Sequence, residues 1–600
     1  MSFHAGTFWF DRRPLRPDHE STHHEPGLAM TQDGHDVWAL GSASTRVTLR
    51  PPILAITWDG RLDNRDDLLV QLGGCASRST DAEIALAIVE RFGIDGLKTL
   101  IGDWSAAIWD RVTRTLHLAR DCMGARPLYY VRDRHAVAWS TSLAELVDRG
   151  GRRDVLCDAF AAHFMSLRPS PELTPYAGIH AVPGGTCLSI DESGREQRTR
   201  FWHLAPGRIR YANPRSYEEH LRALWRDALR ARLRTDGTVW AELSGGLDSS
   251  SVVCMADRLI KDGDVPARAI RLVSHATLHS PEGDERRFIA EIEQQVGVRS
   301  EIVGVEDNQS HIDPELVWVT PYALQGVGLE TVRRVRAGGG CVVLSGRLGD
   351  AVMGCEPDNS AAVFDDVARG HILAALANLR RWSRATRKPF VEIAWRLFVP
   401  HRTATHHGGL ALLTPRLRAM LASGRDDRVR GVRRSKRTLA RLVLGYTGGG
   451  RLDAPYLPPD IVYTYPFAHR PLVDFMLAIP GEESSAPGLT RSLMRRAFTN
   501  LVPARVLQRV SKGYYPPAAF RAARQLAASL VSIDELEVVQ RGWIDPDRLT
   551  LALRTLTDGG GETGGDIHCT LRLERWLQAR HTHSAIRQRK EVNTNEVLHT

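Results

Sequence analysis

A short loop of small residues near the middle of the chain constrains its fold and function more than any other feature. Residues 244–252 read Ser-Gly-Gly-Leu-Asp-Ser-Ser-Ser-Val; they follow the apolar stretch 239–243, and a helix-like run extends from 252 to 260. A strand, a tight loop and a helix start bring backbone N–H groups and the positive end of a helix dipole together around an anion. The sequence therefore predicts a phosphate-binding loop.

The loop does not have the Gly-x-x-x-x-Gly-Lys-Ser/Thr spacing of a Walker-type site, and it contains no lysine. It resembles the pyrophosphate loop of the ATP pyrophosphatases, which hold the β and γ phosphates together while AMP is transferred to a substrate. That resemblance implies that Asp248 helps to carry Mg²⁺ and that five loop residues hold pyrophosphate: Ser244, Gly245, Gly246, Ser249 and Ser250. The alternative is a serine-rich helix cap without a ligand.

The first 205 residues combine short strands with two helices. Strand patterns lie at 53–58, 105–109, 115–119 and 186–190, and apolar residues recur every three or four positions at 65–72 and 81–92. This half is predicted to be a layered α/β sandwich, and a linker containing Pro and Gly follows at 205–214.

After the linker, strands alternate with helices. A helix pattern at 216–233 precedes the phosphate loop, and further strands are predicted at 269–273 and 341–345. This alternation favours a parallel, doubly wound sheet that binds ligands at the carboxyl ends of its strands. From about residue 360 the pattern is mostly helical, with loop-like segments at 408–409 and 448–450. The predicted domains are 1–205 and 215–580, followed by a polar tail at 581–600.

Composition excludes several classes of protein. Of the 600 residues, 43% are hydrophobic and 25% are charged, and no apolar run approaches the roughly 18 residues of a membrane helix. The N-terminus has no basic segment followed by an apolar one, so we expect a cytoplasmic protein without membrane contact. Eight cysteines without a Cys-x-x-Cys pair indicate buried thiols in a reducing compartment, and none is predicted to be catalytic.

The net charge of +9 is partly concentrated between residues 425 and 441. A solvated helix face is the first interpretation of this basic cluster, and attraction for an acidic peptide or protein is the second. No nucleic-acid motif accompanies it, so we expect no nucleic-acid partner. The cluster contains Arg425, Arg428, Arg430, Arg433, Arg434, Lys436, Arg437 and Arg441.

A zinc-protease pattern, His-Glu-x-x-His, occurs at His19–His23. Zinc binding would require both histidines on one face of a stable helix. This stretch lies between Pro17 and Pro26 and is rich in polar loop residues, so no zinc site is predicted there.

Several segments, in the same order as in the family, resemble the class B asparagine synthetases over nearly the whole chain. In the N-terminal half these are Gly60-Arg61-Leu62-Asp63-Asn64, Thr80-Asp81-Ala82-Glu83, Gly102-Asp103-Trp104-Ser105-Ala106, Ala119-Arg120-Asp121 and Arg126-Pro127-Leu128-Tyr129-Tyr130. In the C-terminal half they are the phosphate loop, 344–350, 465–467, 472–480 and 503–513. The resemblance implies a glutaminase-like domain of the N-terminal nucleophile type, followed by an ATP pyrophosphatase domain with a helical extension.

The N-terminal half departs from the family at its nucleophile. Glutaminases of this family expose a cysteine once Met1 is removed, but the second residue here is Ser2. A serine hydroxyl is a much weaker nucleophile than a thiol near neutral pH. We therefore predict that this domain no longer releases ammonia and persists as a scaffold; residual activity of Ser2 is the alternative.

An enzyme that keeps ATP activation without an ammonia supply can let an amine of its own substrate attack the activated carboxylate. The β-lactam synthetases and the lasso peptide cyclases of this superfamily work in this way. The sequence most resembles a lasso cyclase, which implies ATP, Mg²⁺ and a precursor peptide, with a leader-binding protein and a leader peptidase as further partners. The alternatives are an amide ligase for a small molecule and an inactive binding homologue.

The resemblance also implies roles for individual residues. Asp248 and Asp350 would carry Mg²⁺, and Lys512 would stabilise charge during adenylation and amide formation; Asp350 as a helix cap and Lys512 as a surface lysine are the alternatives. The predicted nucleotide contacts are Gly346, Leu243, Leu272 and Val273, the last three beside adenine.

One position of the predicted site departs from asparagine and β-lactam synthetases. Arg347 stands where those enzymes have a glutamate that assists proton removal, and an arginine stays protonated. The general base is therefore unassigned, with Tyr322 and Glu330 as substitutes, unless the amine loses its proton to water or to released phosphate.

Overall fold

The protein is described by a computed structural model that covers most of the chain. The described residues are 3–11, 28–33, 37–42, 48–50, 54–74, 79–151, 154–168, 170–204, 207–277, 284–305, 321, 326–356, 358–398, 408–421, 429, 431–447, 461–509, 532–557 and 567–582. Several predictions fall outside these ranges: Ser2, the His-Glu-x-x-His segment, Tyr322, the segment 448–450, Lys512 and most of the polar tail.

Two six-stranded antiparallel sheets form the N-terminal half. Their orders are β10-β8-β9-β1-β3-β2 and β12-β11-β7-β6-β5-β4. The strands are β1 (His4–Trp9), β2 (Leu28–Asp33), β3 (Val37–Ser42), β4 (Thr48–Arg50), β5 (Leu54–Leu62), β6 (Gly102–Asp110), β7 (Thr115–Arg120), β8 (Tyr129–Arg132), β9 (Ala136–Ser140), β10 (Ile179–Ala181), β11 (Thr186–Asp191) and β12 (Glu196–Arg200).

The two sheets pack face to face, and helices cover their outer faces. Phe8 and Trp139 of the first sheet share a core with Trp109 and Leu118 of the second. Two helices, α1 (Arg65–Gln71) and α2 (Asp81–Phe92), cover the second sheet, and α3 (Leu143–Arg149) covers the first. The predicted layered α/β sandwich is confirmed.

Local sequence explains two features of these layers. Thr80 and Glu83 form a capping box that begins α2 at the predicted residue, with Thr80 N donating to Glu83 Oε2 over 2.6 Å. Gly60 opposes Trp104 across β5 and β6, and a Cβ at Gly60 would lie 2.1 Å from the Asp103 carbonyl oxygen. Only glycine permits this close approach, which brings the segments around Asp63 and Asp103 together.

The C-terminal half contains a five-stranded parallel sheet in the order β15-β14-β13-β16-β17. The predicted parallel, doubly wound sheet is confirmed, although the sequence prediction did not name its two outer strands. The strands are β13 (Thr238–Glu242), β14 (Ala269–Ala276), β15 (Ser300–Gly304), β16 (Val342–Leu344) and β17 (Val462–Thr464).

Helices surround this sheet and extend beyond it. They are α5 (Pro214–Arg232), α6 (Leu247–Lys261), α7 (Arg286–Val296), α8 (Gly326–Ala337), α9 (Gly349–Met353), α10 (Ala361–Val367), α11 (Ile372–Thr386), α12 (Phe390–Phe398), α13 (Gly408–Leu412), α14 (Pro415–Ala419), α15 (Arg437–Thr447), α16 (Arg470–Ala478), α17 (Gly481–Ser484), α18 (Ser492–Ala497), α19 (Ala504–Leu507), α20 (Glu537–Gln540), α21 (Pro546–Thr557) and α22 (567–582). One more helix, α4 (Asp158–Met165), belongs to the N-terminal half. None of the helices in these ranges is long and apolar enough to cross a membrane.

Three sequence predictions need correction. The helix after the phosphate loop begins at Leu247 rather than at 252. The segment at 408–409 is the start of α13 rather than a loop. The cysteines were predicted to be buried, but Cys341 is exposed. Burial raises the pKa of the Cys122, Cys187 and Cys254 thiols to about 12. No disulfide joins the described cysteines.

A buried ionic network joins the two halves of the chain. Arg61 donates to Asp63 and Asp103 over 3.0 and 2.7 Å, and Arg232, at the end of α5, pairs with the same two carboxylates over 3.2 and 3.3 Å. His469 Nδ1 lies 3.1 Å from Asp63. Burial acts to raise the pKa of Asp63, but the two guanidinium groups outweigh it and hold that pKa well below its usual range.

A second contact between the halves is mainly apolar. Phe164 and Met165 of α4 lie in one core with Trp543 and Trp576 from the end of the chain. Trp543 Nε1 also donates to Asp158 Oδ1 over 2.8 Å. The sandwich and the C-terminal half therefore share both a polar and an apolar interface.

The basic cluster is not a uniformly solvated face. Arg437 and Arg441 are exposed, but the side chain of Lys436 is buried, and its Nζ donates to Ser484 Oγ over 2.8 Å. Burial lowers the pKa of Lys436 from 10.5 to about 7; Arg433 lowers it further, and the nearby acids Glu482, Asp365 and Glu483 oppose this shift.

Replacing Arg232 by Met should lower the free energy of unfolding by about 3–5 kcal/mol, because two buried carboxylates lose a partner. Urea denaturation followed by intrinsic fluorescence measures the change. Arg226→Met is the matched control, since Arg226 pairs with Asp264 at an exposed site, where loss of the pair costs about 0–1 kcal/mol. Equal effects in the two variants would contradict a structural role for the network.

Lys436 should make stability depend on pH in a specific window. Between pH 7 and 10.5 the folded chain has lost the Lys436 proton and the unfolded chain retains it, so stability rises with pH. Lys436→Met removes this contribution. Its stability advantage over the unmodified protein should be largest below pH 7 and should shrink towards pH 10.5 in thermal denaturation. A constant difference across the window would show that Lys436 does not titrate in this way.

Candidate active site

The phosphate loop is short and tightly folded. It links the end of β13 at Glu242 to the start of α6 at Leu247. Gly245 has a φ of +67°, and a Cβ there would lie 2.9 Å from Phe288 Cβ, so this position requires glycine. The backbone N–H of Ser244 donates to Ser249 Oγ over 3.0 Å, which draws the loop onto the first turn of the helix.

The early start of α6 changes how the site is built. Asp248 and Ser249 lie on the first turn of a 15-residue helix, where backbone N–H groups have no partner within the helix. No side chain among the described residues caps this helix. These N–H groups, which have no partner within the helix, and the helix dipole therefore favour an anion at this point.

A cavity of about 470 Å³ opens at the carboxyl ends of β13, β14 and β16, a size typical of ligand pockets. Most predicted contact residues line it: Leu243, Ser244, Gly246, Asp248, Ser249, Val273, Gly346 and Asp350. Three others lie outside this lining. Ser250 and Leu272 are fully buried, and the Gly245 carbonyl accepts from Arg509 over 3.1 Å.

Asp248 and Asp350 face one another across the pocket. A Cβ at Gly349, next to Asp350, would lie 2.5 Å from Asp248 Cγ. The first turns of α6 and α9 therefore approach each other closely. Arg491 lies between the carboxylates: its Nη2 is 3.1 Å from Asp248 Oδ2 and also contacts Asp350 Oδ1.

The donor set fits Mg²⁺ that is bound together with a nucleotide. Within the described ranges, no group of three or more His, Cys, Asp or Glu residues could hold a metal. Asp248 and Asp350 nevertheless supply two carboxylates on a site that already attracts a cation. Mg²⁺ commonly uses one or two protein carboxylates and takes its other ligands from phosphates and water.

Three pocket arginines were missed by sequence reasoning. Arg491, Arg495 and Arg509 line the cavity together with Arg347. Arg509 pairs with buried Glu285 through both nitrogens and lies 4.1 Å from the Phe288 ring centroid. The three arginines lie more than 200 positions beyond the phosphate loop in sequence. Only Arg509 falls in a segment, 503–513, that resembles the family.

The pocket also contains a buried polar group beside Arg347. Ser345 Oγ donates to Glu242, and the Arg347 N–H reaches Ser345 Oγ over 3.4 Å. His275 Nε2 lies 2.8 Å from Thr331 Oγ1, and burial lowers the His275 pKa. His275 is therefore neutral near pH 7.

Glu330 is a poor general base in this structure. Its carboxylate accepts from Arg333 over 2.7 Å and from Arg334 over 2.8 Å, and these hydrogen bonds lower its pKa to about 2. It is also not among the residues that line the pocket. Tyr322 and Lys512 lie outside the described residues, so their roles remain predictions.

Comparison with known proteins places these features in a family. The asparagine synthase model matches residues 220–578, and the glutamine amidotransferase domain model matches residues 45–202. A putative glutamine-hydrolyzing asparagine synthetase of Mycobacterium tuberculosis is 30% identical over 283 residues, which cover 43% of this chain and 39% of the relative. The chain thus spans about two fifths of the length of that relative.

Two further relatives carry similar names. A putative glutamine-hydrolyzing asparagine synthetase of Methanocaldococcus jannaschii is 27% identical over 236 residues, covering 38% of this chain and 45% of the relative. A glutamine-hydrolyzing asparagine synthetase of Bacillus subtilis is 22% identical over 497 residues, covering 78% of this chain and 76% of the relative. With a synthase match over more than half of its length, and the phosphate loop within that match, the chain belongs to the asparagine synthase family.

Proposed function

We propose that the protein is an ATP-dependent, AMP-forming macrolactam synthetase of the lasso cyclase kind. It adenylates a side-chain carboxylate of a precursor peptide and joins it to the N-terminal amine of the same peptide. The observation that carries the proposal is the pocket itself: Ser244, Gly246 and Ser249 of the phosphate loop line it with the carboxylates of Asp248 and Asp350. Arg347 also lines it, at the position where the resemblance would place a glutamate that assists an incoming amine.

The first step would be carried out by the loop and the first turn of α6. A carboxylate oxygen of the peptide attacks the α-phosphorus of ATP, an acyl adenylate forms, and pyrophosphate leaves. Backbone N–H groups at Ser249 and the hydroxyl of Ser244 would hold the leaving phosphates. Asp248 and Asp350 would hold Mg²⁺, which neutralises charge on the leaving pyrophosphate when it is bound.

The second step would join the amine to the activated carbon. The peptide amine attacks the acyl carbon, AMP leaves, and the amine loses a proton to water or to released phosphate. Arg347 cannot accept that proton because a guanidinium stays protonated, but its charge would stabilise the oxyanion and the leaving AMP. Leu243 and Val273, both on the pocket wall, would flank the adenine ring.

Loss of ammonia supply supports an internal amine as the nucleophile. Ser2 replaces the catalytic cysteine, and the N-terminal sandwich is tied to the synthetase half by buried charge. A scaffold role accounts for a domain that keeps its fold without its nucleophile. The basic residues of the cluster that remain exposed, Arg437 and Arg441, favour an acidic peptide, with a leader-binding protein and a leader peptidase as partners.

Glutamine-dependent asparagine synthesis is the second candidate function. It is favoured by the names of the relatives, which are glutamine-hydrolyzing asparagine synthetases. In that case Ser2 would act as the nucleophile that releases ammonia. Formation of asparagine from aspartate, glutamine and ATP would overturn the macrolactam proposal.

The proposed activity predicts ATP–pyrophosphate exchange that requires an acidic peptide, and loss of one water from that peptide by mass spectrometry. Asp248→Asn should lower the exchange rate about 100-fold or more, because the leaving pyrophosphate loses its metal ligand. Asp257→Asn is the matched control and should leave the rate unchanged. Asp257 lies on the same helix, but it pairs with Lys261 outside the pocket. Unchanged exchange in Asp248→Asn would contradict the proposed role of this carboxylate in adenylation.

The close approach of Gly349 to Asp248 gives a test of nucleotide binding. In Gly349→Ala, the new Cβ would displace the Asp248 carboxylate, and the Kd for Mg²⁺-ATP in calorimetry should rise about tenfold. Gly237→Ala is the control, since no atom lies within 4 Å of a Cβ at that position. If both variants bind Mg²⁺-ATP as the unmodified protein does, the carboxylate is not part of the nucleotide site.

A further inference from the structure

Arg491 joins the two carboxylates that are proposed to hold metal. One guanidinium nitrogen contacts both Asp248 and Asp350, which lie in the first turns of two different helices, α6 and α9. The Arg491 and Asp248 side chains are 14% and 13% exposed, so their pair is largely shielded from water, whereas the Asp350 side chain is 50% exposed. A guanidinium and a divalent cation cannot both lie between the same two carboxylates.

The backbone of Arg491 is held firmly in place. Its φ is +54°, in the left-handed region that side-chain-bearing residues rarely adopt. Its N–H donates to the Gly354 carbonyl over 3.0 Å, and Ser485 Oγ lies 3.5 Å from the same oxygen. Any displacement of the guanidinium therefore has to come from rotation of the side chain.

We propose that Arg491 is a cation-exchange residue: it holds Asp248 and Asp350 together in the nucleotide-free protein and yields only to a divalent cation that arrives with phosphate. This inference rests on the metal role that the proposed function gives to the two carboxylates. It goes further by making the binding of metal and the binding of phosphate depend on one another.

The electrostatics of the pocket explain why phosphate is needed. A bare cation would take both carboxylates and leave a largely buried guanidinium without a partner, which is unfavourable. A pyrophosphate group supplies oxygens that can accept two parallel hydrogen bonds from the displaced guanidinium. Metal and phosphate therefore bind cooperatively, because each removes the cost that the other creates.

Mn²⁺ binding to the full-length protein tests the exchange, with electron paramagnetic resonance as the readout and inorganic pyrophosphate as the phosphate probe. In the unmodified protein, Mn²⁺ should bind weakly alone and at least about tenfold more tightly with pyrophosphate. In Arg491→Gln, Mn²⁺ alone should bind about tenfold more tightly than in the unmodified protein, and pyrophosphate should add less. An unchanged Mn²⁺ affinity in this variant overturns the proposal.

Arg495→Gln separates exchange from a general effect of charge. Arg495 lines the same pocket and interacts electrostatically with Asp248, but its hydrogen bonds go to the carbonyl oxygens of Thr490 and Leu507. Both variants remove one positive charge, so a general field would raise Mn²⁺ affinity equally in both. The proposal requires a change below about threefold in Arg495→Gln, and equal increases in the two variants contradict it.

Two more variants test whether misfolding of Arg491→Gln causes the change in Mn²⁺ affinity. Arg491→Lys keeps a cation near the carboxylates and should restore weak Mn²⁺ binding, whereas Arg491→Gln combined with Asp248→Asn should lose the gained affinity. Failure of either result contradicts the proposal. If Asp248→Asn leaves ATP–pyrophosphate exchange intact, the proposed function fails; if exchange requires Asp248 but Mn²⁺ affinity ignores Arg491, only this inference fails.

Discussion

Arg232 lies fully buried where the two halves of the chain meet, and it neutralises two aspartates that have almost no contact with water. Both aspartates belong to the N-terminal sandwich, and Arg232 ends the first helix of the synthetase half. Separating the halves would leave at least two carboxylates without one of their partners in an apolar setting. This constraint gives a physical reason for the two halves to stay packed together, independent of any chemistry in the sandwich.

The same helix connects the interface to the active site. In the middle of α5, Trp225 Nε1 reaches the Ser251 carbonyl of the phosphate-loop helix over 3.4 Å. The Trp225 ring also lies 5.8 Å from Phe498, which directly follows the helix that Arg491 begins. The sandwich thus fixes one end of a helix whose other contacts position both the phosphate loop and the residue between the carboxylates. Contacts made by the sandwich can therefore influence the geometry of the pocket in the other half.

The sequence predicted the parts of the fold that local patterns determine. The strands at β6 and β7, the capping box at Thr80 and the phosphate loop after β13 each have a signal within a few residues. The start of α6 was placed too late, because serines and Asp248 resemble a loop in sequence although they form a first helical turn. The strand β16 was predicted from the apolar stretch 341–345, whereas the equally short strand β17 was missed.

The site was predictable only where a family motif covers it. Asp248 and Asp350 were found in this way, whereas Arg491 and Arg495 were not, because nothing in their local sequence connects them to a loop more than 200 positions earlier. Lys436 was assigned to a solvated cluster because neighbouring arginines share its charge, yet tertiary packing buries it against Ser484. Charge patterns indicate solvent exposure only until another element packs over them.

In the proposed function, the synthetase half works without ammonia from the sandwich. The most direct measurement incubates the full-length protein with Mg²⁺-ATP, aspartate and glutamine labelled with ¹⁵N at its amide, and follows the label by nuclear magnetic resonance. We expect the label to stay in glutamine, and we expect no labelled asparagine or ammonia to form. Transfer of ¹⁵N to aspartate, or its release as ammonia, would show that the sandwich is a working glutaminase. Either result would contradict an internal amine as the only nucleophile.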